Sequence, residues 1–143
     1  MLNISVVIPV YNAAAFLRKA VESALQFTEV SEVILAEDAS TDASLALCKQ
    51  LVQENERVVL FQHQDKGNHG ASETRNLGIQ KATSDFIAFL DADDYYLPNR
   101  FDAEKTSFHN EKIEGIFGAL GTEFITEKGK TEFQEKFKNN ELT

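Results

Sequence analysis

Within residues 3–9 the side chains Ile4, Val6, Val7 and Ile8 make a nearly unbroken β-branched run, and no other segment constrains the fold as much. A strand that is apolar on both faces must be covered on both faces, which is the situation of a parallel sheet with helices above and below it. The period then changes. From Ala13 onward Phe16, Leu17, Ala20, Val21, Ala24 and Leu25 recur at helical spacing, with Arg18, Lys19 and Glu22 on the opposite side. This is the stripe of an amphipathic helix packed on a sheet, and Asn12 is expected to cap it.

The alternation continues along the chain. A second strand is expected over residues 32–36, followed by a helix reaching about Asn55 and capped by Ser40 or Thr41. A third strand is expected over 57–63, and the turn Gly67-Asn68-His69-Gly70 opens a third helix through Ala82. The fourth strand is the run Phe86-Ile87-Ala88-Phe89-Leu90. Pro98 is expected to open another helix, where its missing N–H is no loss, and a further strand is expected at about 116–125. Strands alternating with helices imply right-handed crossovers and an α/β fold with a mostly parallel, Rossmann-like sheet flanked by helices on both faces.

In that arrangement Tyr11-Asn12, Glu37-Asp38 and Asp91-Ala92-Asp93-Asp94 each fall just past the carboxyl end of a strand, where open α/β sheets bind ligands. The last cluster is the most specific: an apolar strand ends in three carboxylates within four positions. Carboxylates this close repel one another and call for a proton or a cation. Mg²⁺ or Mn²⁺ suits them, and Mg²⁺ is commonly held by one or two carboxylates together with substrate phosphates.

Composition narrows the partners. The 143 residues, 43% hydrophobic and 26% charged, are enough for a soluble domain with a real core. A net charge of −9 argues against nucleic acid and against an anionic membrane surface, both of which need Lys and Arg. It would also repel a phosphate-bearing substrate unless a cation reversed the local sign. The single cysteine, Cys48, sits with Leu45, Leu51 and Val52 at helical spacing and reads as core. No signal peptide or transmembrane run is evident, so the cytoplasm is the expected location, with a peripheral place at the inner face of a membrane open for a longer protein.

Taken together, Val6-Val7-Ile8-Pro9-Val10-Tyr11-Asn12, Glu37-Asp38-Ala39-Ser40-Thr41-Asp42, Asn68-His69-Gly70-Ala71-Ser72 leading to Arg75-Asn76-Leu77-Gly78, and Phe89-Leu90-Asp91-Ala92-Asp93-Asp94 resemble the family 2 glycosyltransferases of GT-A fold, in order and in spacing. The resemblance runs from about residue 3 to 125. It implies metal-dependent transfer of a sugar from a nucleotide donor, usually a UDP-sugar, to a glycan or other acceptor hydroxyl, in polysaccharide or cell-surface glycan synthesis.

By position it implies that Pro9, Val10, Tyr11 and Asn12 line the nucleobase and ribose pocket, and that Asp38 accepts a hydrogen bond from the uracil N–H. Asp91, Ala92 and Asp93 fill the D-x-D motif: Asp91 faces the ribose, Asp93 binds Mn²⁺ or Mg²⁺ on the diphosphate with Asp91 beside it, and Asp94 supports the site from behind. Arg75 adds to the diphosphate clamp. One departure is visible, since the family commonly has two aspartates and a glycine where this chain has Glu37, Asp38 and Ala39. Ala39 implies only that the turn there need not use φ > 0.

The family's general base is usually an aspartate well beyond the D-x-D motif, and none of Glu123, Glu127, Glu132 or Glu135 stands in a recognisable motif for it. The chain is therefore expected to be a nucleotide-sugar-binding domain over 1–126, truncated at its C-terminus, followed by a polar tail or the start of an acceptor part over 127–143. The alternative is a non-catalytic nucleotide or nucleotide-sugar binding module. Asp38 and Asp42 also have a plain reading as helix caps. His63, His69 and His109 show no metal-ligand spacing, and the sugar, the acceptor and the oligomeric state are open.

Overall fold

The computed structural model describes residues 2–110, 112–116 and 126–137. The chain divides into two compact units, 1–113 and 114–143. In the first unit the strands β1 (Ile4–Val10), β2 (Val30–Glu37), β3 (Val58–Gln62) and β4 (Phe86–Phe89) alternate with the helices α1 (Leu17–Leu25), α2 (Ser44–Glu54) and α3 (Ala71–Lys81), and α4 (Asp102–Ser107) follows. The strands form one sheet in the order β3-β2-β1-β4 with every pair parallel.

The β-branched run of β1 is buried on both faces, as its sequence requires. Ile4, Val6, Ile8 and Val10 join Leu17, Ala20, Val21 and Ala24 of α1 and Cys48 and Leu51 of α2 in one core. Burial of each large aliphatic side chain there contributes about 2 kcal/mol. Val7 points the other way, toward α3, where a Cβ on Gly78 would lie 2.3 Å from Val7 Cγ1. The buried positions of α3 are Thr74 and Gly78. This helix therefore seats on the sheet through small residues at close range rather than through a broad apolar stripe. Burial pushes the Cys48 thiol up to about 12, with Glu37 adding to the effect, so this cysteine is inert core.

Several local expectations are corrected. Asn12 does not cap α1: that helix starts at Leu17, and Asn12 adopts φ 48°. Neither Ser40 nor Thr41 caps α2: its N-cap is Ala43, with no side-chain cap, and Asp42 Oδ1 accepts the Ser44 N–H at 2.8 Å in the turn just before the helix. Pro98 lies in a turn, and α4 begins only at Asp102. Ala39 has φ 60°, so the turn after β2 does use the left-handed region and carries an alanine where glycine would be unstrained. The strand expected at 116–125 lies outside the described residues except for Ile116, which is irregular.

In the second unit, residues 127–137 of the polar C-terminal segment form α5 (Glu127–Phe137). The Gly129 N–H donates to Thr126 Oγ1 at 3.0 Å and so closes the first turn.

Candidate functional site

Because β1 has β2 on one side and β4 on the other, the chain leaves the sheet in opposite directions on either side of β1. At that switch point the loops diverge and leave a crevice at the carboxyl ends of the strands. A cavity of about 510 Å³ lies there, lined by Pro9, Val10, Tyr11, Asn12, Ala13 and Phe16 from the first loop and by Asp38 from the second. Asn68, Gly70, Ala71, Thr74 and Arg75 come from the third loop and α3, and Asp91, Ala92 and Asp93 from the loop after β4. This volume suits a small-molecule ligand. Every residue singled out for binding in the sequence, Pro9, Val10, Tyr11, Asn12, Asp38, Arg75, Asp91, Ala92 and Asp93, borders this one cavity.

The four loops are stitched together by side chains. The positive φ of Asn12 sends its side chain to the second loop, where Oδ1 accepts the Thr41 N–H at 2.8 Å and Nδ2 donates to Thr41 Oγ1 at 3.2 Å. The Asn12 N–H donates to Ser40 Oγ, and the Ala13 N–H to Ser44 Oγ at 2.8 Å. Asp38 joins the second loop to the third: Oδ1 accepts the His69 N–H at 2.6 Å and Oδ2 the Gly70 N–H at 3.0 Å, while Asn68 Nδ2 donates to the Asp38 carbonyl. It is buried, and it caps neither neighbouring helix. The third and fourth loops are joined by Arg75, whose Nη2 donates to Asp91 Oδ1 at 2.7 Å.

Glu37, fully buried beside Asp38, is the support of the strained turn. Its carboxylate accepts the Ser40 N–H at 2.6 Å, the Ala39 N–H at 3.2 Å and Gln62 Nε2 at 3.0 Å. The two backbone donors fix the turn where Ala39 must hold φ 60°, and Gln62 holds the carboxylate in place.

At the end of β4 the carboxylates of Asp91, Asp93 and Asp94 offer oxygens within 4.8 Å of one another, all of them exposed. Burial pushes the Asp94 carboxyl up, and the negative charges of Asp93 and Asp91 push it further. An all-oxygen set whose charges oppose one another fits a hard divalent cation, which would relieve that repulsion. Arg75 neutralises only part of it, through Asp91.

Sequence reasoning missed the third loop's share. Asn68, Gly70 and Thr74 border the cavity, and Gly70 does so with φ 85°. The Asn-His-Gly turn was visible, but only the contacts to Asp38 bring it to the cavity wall. Of the glutamates considered for a general base, Glu123 lies outside the described residues, and Glu127 and Glu132 stand exposed on α5.

Residues 5–136 match the family described as Glycosyl transferase family 2. The chain belongs to that family. The glycosyltransferase GlyG of Streptococcus pneumoniae is 36% identical over 116 residues, which are 80% of this chain and 38% of GlyG. Among solved structures, Staphylococcus aureus TarS 1–349 in complex with UDP superposes with a TM-score of 0.62 at 25% identity, covering 85% of this chain and 38% of that one. GalNAc-T7 with UDP, GalNAc and Mn²⁺ superposes with a TM-score of 0.57 at 28% identity, covering 64% of this chain and 18% of that one. The sheet and its flanking helices are thus those of a GT-A glycosyltransferase. The chain spans 40% or less of the length of the first curated relatives it matches. No helix among the described residues is long and apolar enough to cross a membrane.

Proposed function

We propose that this chain forms the donor-binding part of a glycosyltransferase that transfers a sugar from a UDP-sugar to an acceptor hydroxyl, in polysaccharide or cell-surface glycan synthesis. One observation carries the reading: the aromatic and apolar wall Pro9-Val10-Tyr11, the Asp38 carboxylate, Arg75 and the Asp91–Asp93 pair all border a single cavity at the switch point of the sheet. That set suits a nucleoside diphosphate, with an aromatic face for the base, an acceptor for its ring N–H, and a guanidinium and a cation-binding carboxylate pair for the diphosphate.

In this reading the exposed Tyr11 ring offers a flat face to the base. Asp38 spends one lone pair of each oxygen on a backbone N–H and retains the capacity to accept another donor. Asp93, with Asp91 beside it, holds Mn²⁺ or Mg²⁺, and Asp94 stabilises that pair from behind. The bound ion would neutralise the diphosphate charge that grows as the glycosidic bond breaks. Arg75, already aimed at Asp91, supplies a fixed positive charge next to it.

Isothermal titration of UDP into the chain, with and without Mn²⁺, tests the reading. Binding that requires the metal and vanishes in Asp93→Ala is the expected result, and absence of binding under both conditions would sink it. A purely binding module would show the same titration, and sugar transfer by the whole protein separates the two.

A further inference from the structure

His63, the first residue after β3, is not among the residues that border the cavity, yet it touches two that do. Its side chain is 11% exposed. Nε2 lies 3.0 Å from Oγ1 of Thr74, a fully buried residue in the first turn of α3, and 3.5 Å from Oδ1 of Asp38 at the end of β2. The outer face of the ring is covered by His69, stacked with centroids 4.0 Å apart and planes 22° apart. His69 is held in that position by Asp65, whose Oδ1 lies 2.8 Å from its Nε2, and by its own N–H on Asp38.

The start of α3 has no side-chain cap of its own. Its position is set by Asp38, which takes the N–H groups of His69 and Gly70, and by the His63 ring, which reaches Thr74. Thr74 precedes Arg75, so a shift of this turn moves the guanidinium that meets Asp91 on the far wall. One ring nitrogen therefore lies between Asp38 on the base-side wall and the turn that carries Arg75 to the diphosphate-side wall.

We propose that His63 is a positioning residue for the nucleotide-sugar site, holding the Thr74 hydroxyl in register with the Asp38 carboxylate. The proposal rests on the cavity being a UDP-sugar site. A polar hydrogen-bonding atom at the ε position is what the role needs. Glutamine can supply one and alanine cannot.

The test is titration of UDP with Mn²⁺ into wild type, His63→Ala, His63→Gln, Thr74→Val and the double variant His63→Ala/Thr74→Val, with a thermal melt of each. The expected result is an affinity about tenfold weaker for His63→Ala and for Thr74→Val, recovery to within about threefold of wild type in His63→Gln, and a double variant no weaker than either single one, because the two changes break one shared interaction. Wild-type affinity in His63→Ala, equal weakness in His63→Gln, or losses that add in the double variant would each overturn the positioning role alone. A wild-type chain that binds no UDP overturns the site reading and this proposal with it. Should His63→Ala unfold, Thr74→Val decides, since wild-type affinity there removes the role.

Discussion

Arg75 reaches from α3 to the loop after β4 and donates from Nη2 to Asp91 Oδ1 at 2.7 Å, so the guanidinium and the acidic turn face each other across one cavity. The pair is about half exposed and contributes little to stability in that setting. In the proposed reading its value lies in holding a positive charge where a diphosphate would arrive. Arg75→Ala is expected to weaken UDP binding about tenfold or more, equivalent to about 1.4 kcal/mol, while leaving the melting temperature nearly unchanged. Unaltered UDP affinity in calorimetry would remove Arg75 from the site.

The acidic turn makes a sharper prediction. Asp93→Ala, or addition of EDTA to wild type, should eliminate the metal-dependent part of UDP binding, whereas Asp94→Asn should weaken it by a smaller factor. Titration of Mn²⁺ alone, followed by paramagnetic relaxation of water, checks the same point without nucleotide. Equal Mn²⁺ affinity in wild type and Asp93→Ala would show that the ion is held elsewhere.

Ala39 holds φ 60° between Glu37 and Ser40. An L-residue pays about 1–2 kcal/mol for that region, and glycine returns about 0.4–1 kcal/mol of it through the freer unfolded chain. Ala39→Gly should therefore stabilise the fold by about 0.5–1 kcal/mol, read from urea denaturation at constant m. A lower denaturation midpoint would mean that the alanine methyl has a packing role that outweighs its strain.

Gly78 meets Val7 with no space for a methyl group, a Cβ there falling 2.3 Å from Cγ1. Alanine is the better helix former by about 1 kcal/mol, but overpacking a core contact costs about 1–3 kcal/mol. Gly78→Ala is expected to lower stability, and Gly78→Ala with Val7→Ala to recover part of the loss. Denaturation of the two variants decides, and a stabilised Gly78→Ala would contradict the close seat of α3 on β1.

Glu32 supplies the pH dependence. Burial alone pushes its carboxyl up, but the Ser5 hydroxyl and the N–H and hydroxyl of Thr83 together hold it below its ordinary 4.5. A carboxyl depressed on folding contributes stability that is complete above its unfolded pKa and is lost as pH falls through the folded one. The melting-temperature gap between wild type and Glu32→Gln should thus be constant from neutrality down to about pH 5 and close below about pH 4.5. A gap that stays constant to pH 3 would show that Glu32 carries no such linkage.

The alternation of strands and helices was legible because periods of 2 and 3.6 are written into neighbouring side chains. The continuous apolar run of β1 predicts cover on both faces, and the structure gives it that. The acids ending the β4 segment were legible for a related reason, since charge directly after an apolar strand must lie at the end of the sheet. Helix starts were less so. Asn12 has the residue type of a cap, but its side chain is used on Thr41, about thirty positions away in the chain.

By itself, then, the sequence determined the α/β class, the element order and the loops on which the candidate site lies, because each of these follows from local patterning. Only the tertiary structure decided that Asp38 binds the Asn68–Gly70 turn, that Glu37 supports a left-handed alanine, that Arg75 meets Asp91 and that His63 touches Thr74. Most of these contacts join residues far apart in the chain, and the strand order β3-β2-β1-β4 brings them together. No period in the sequence encodes that order. It is set by packing both faces of the sheet at once.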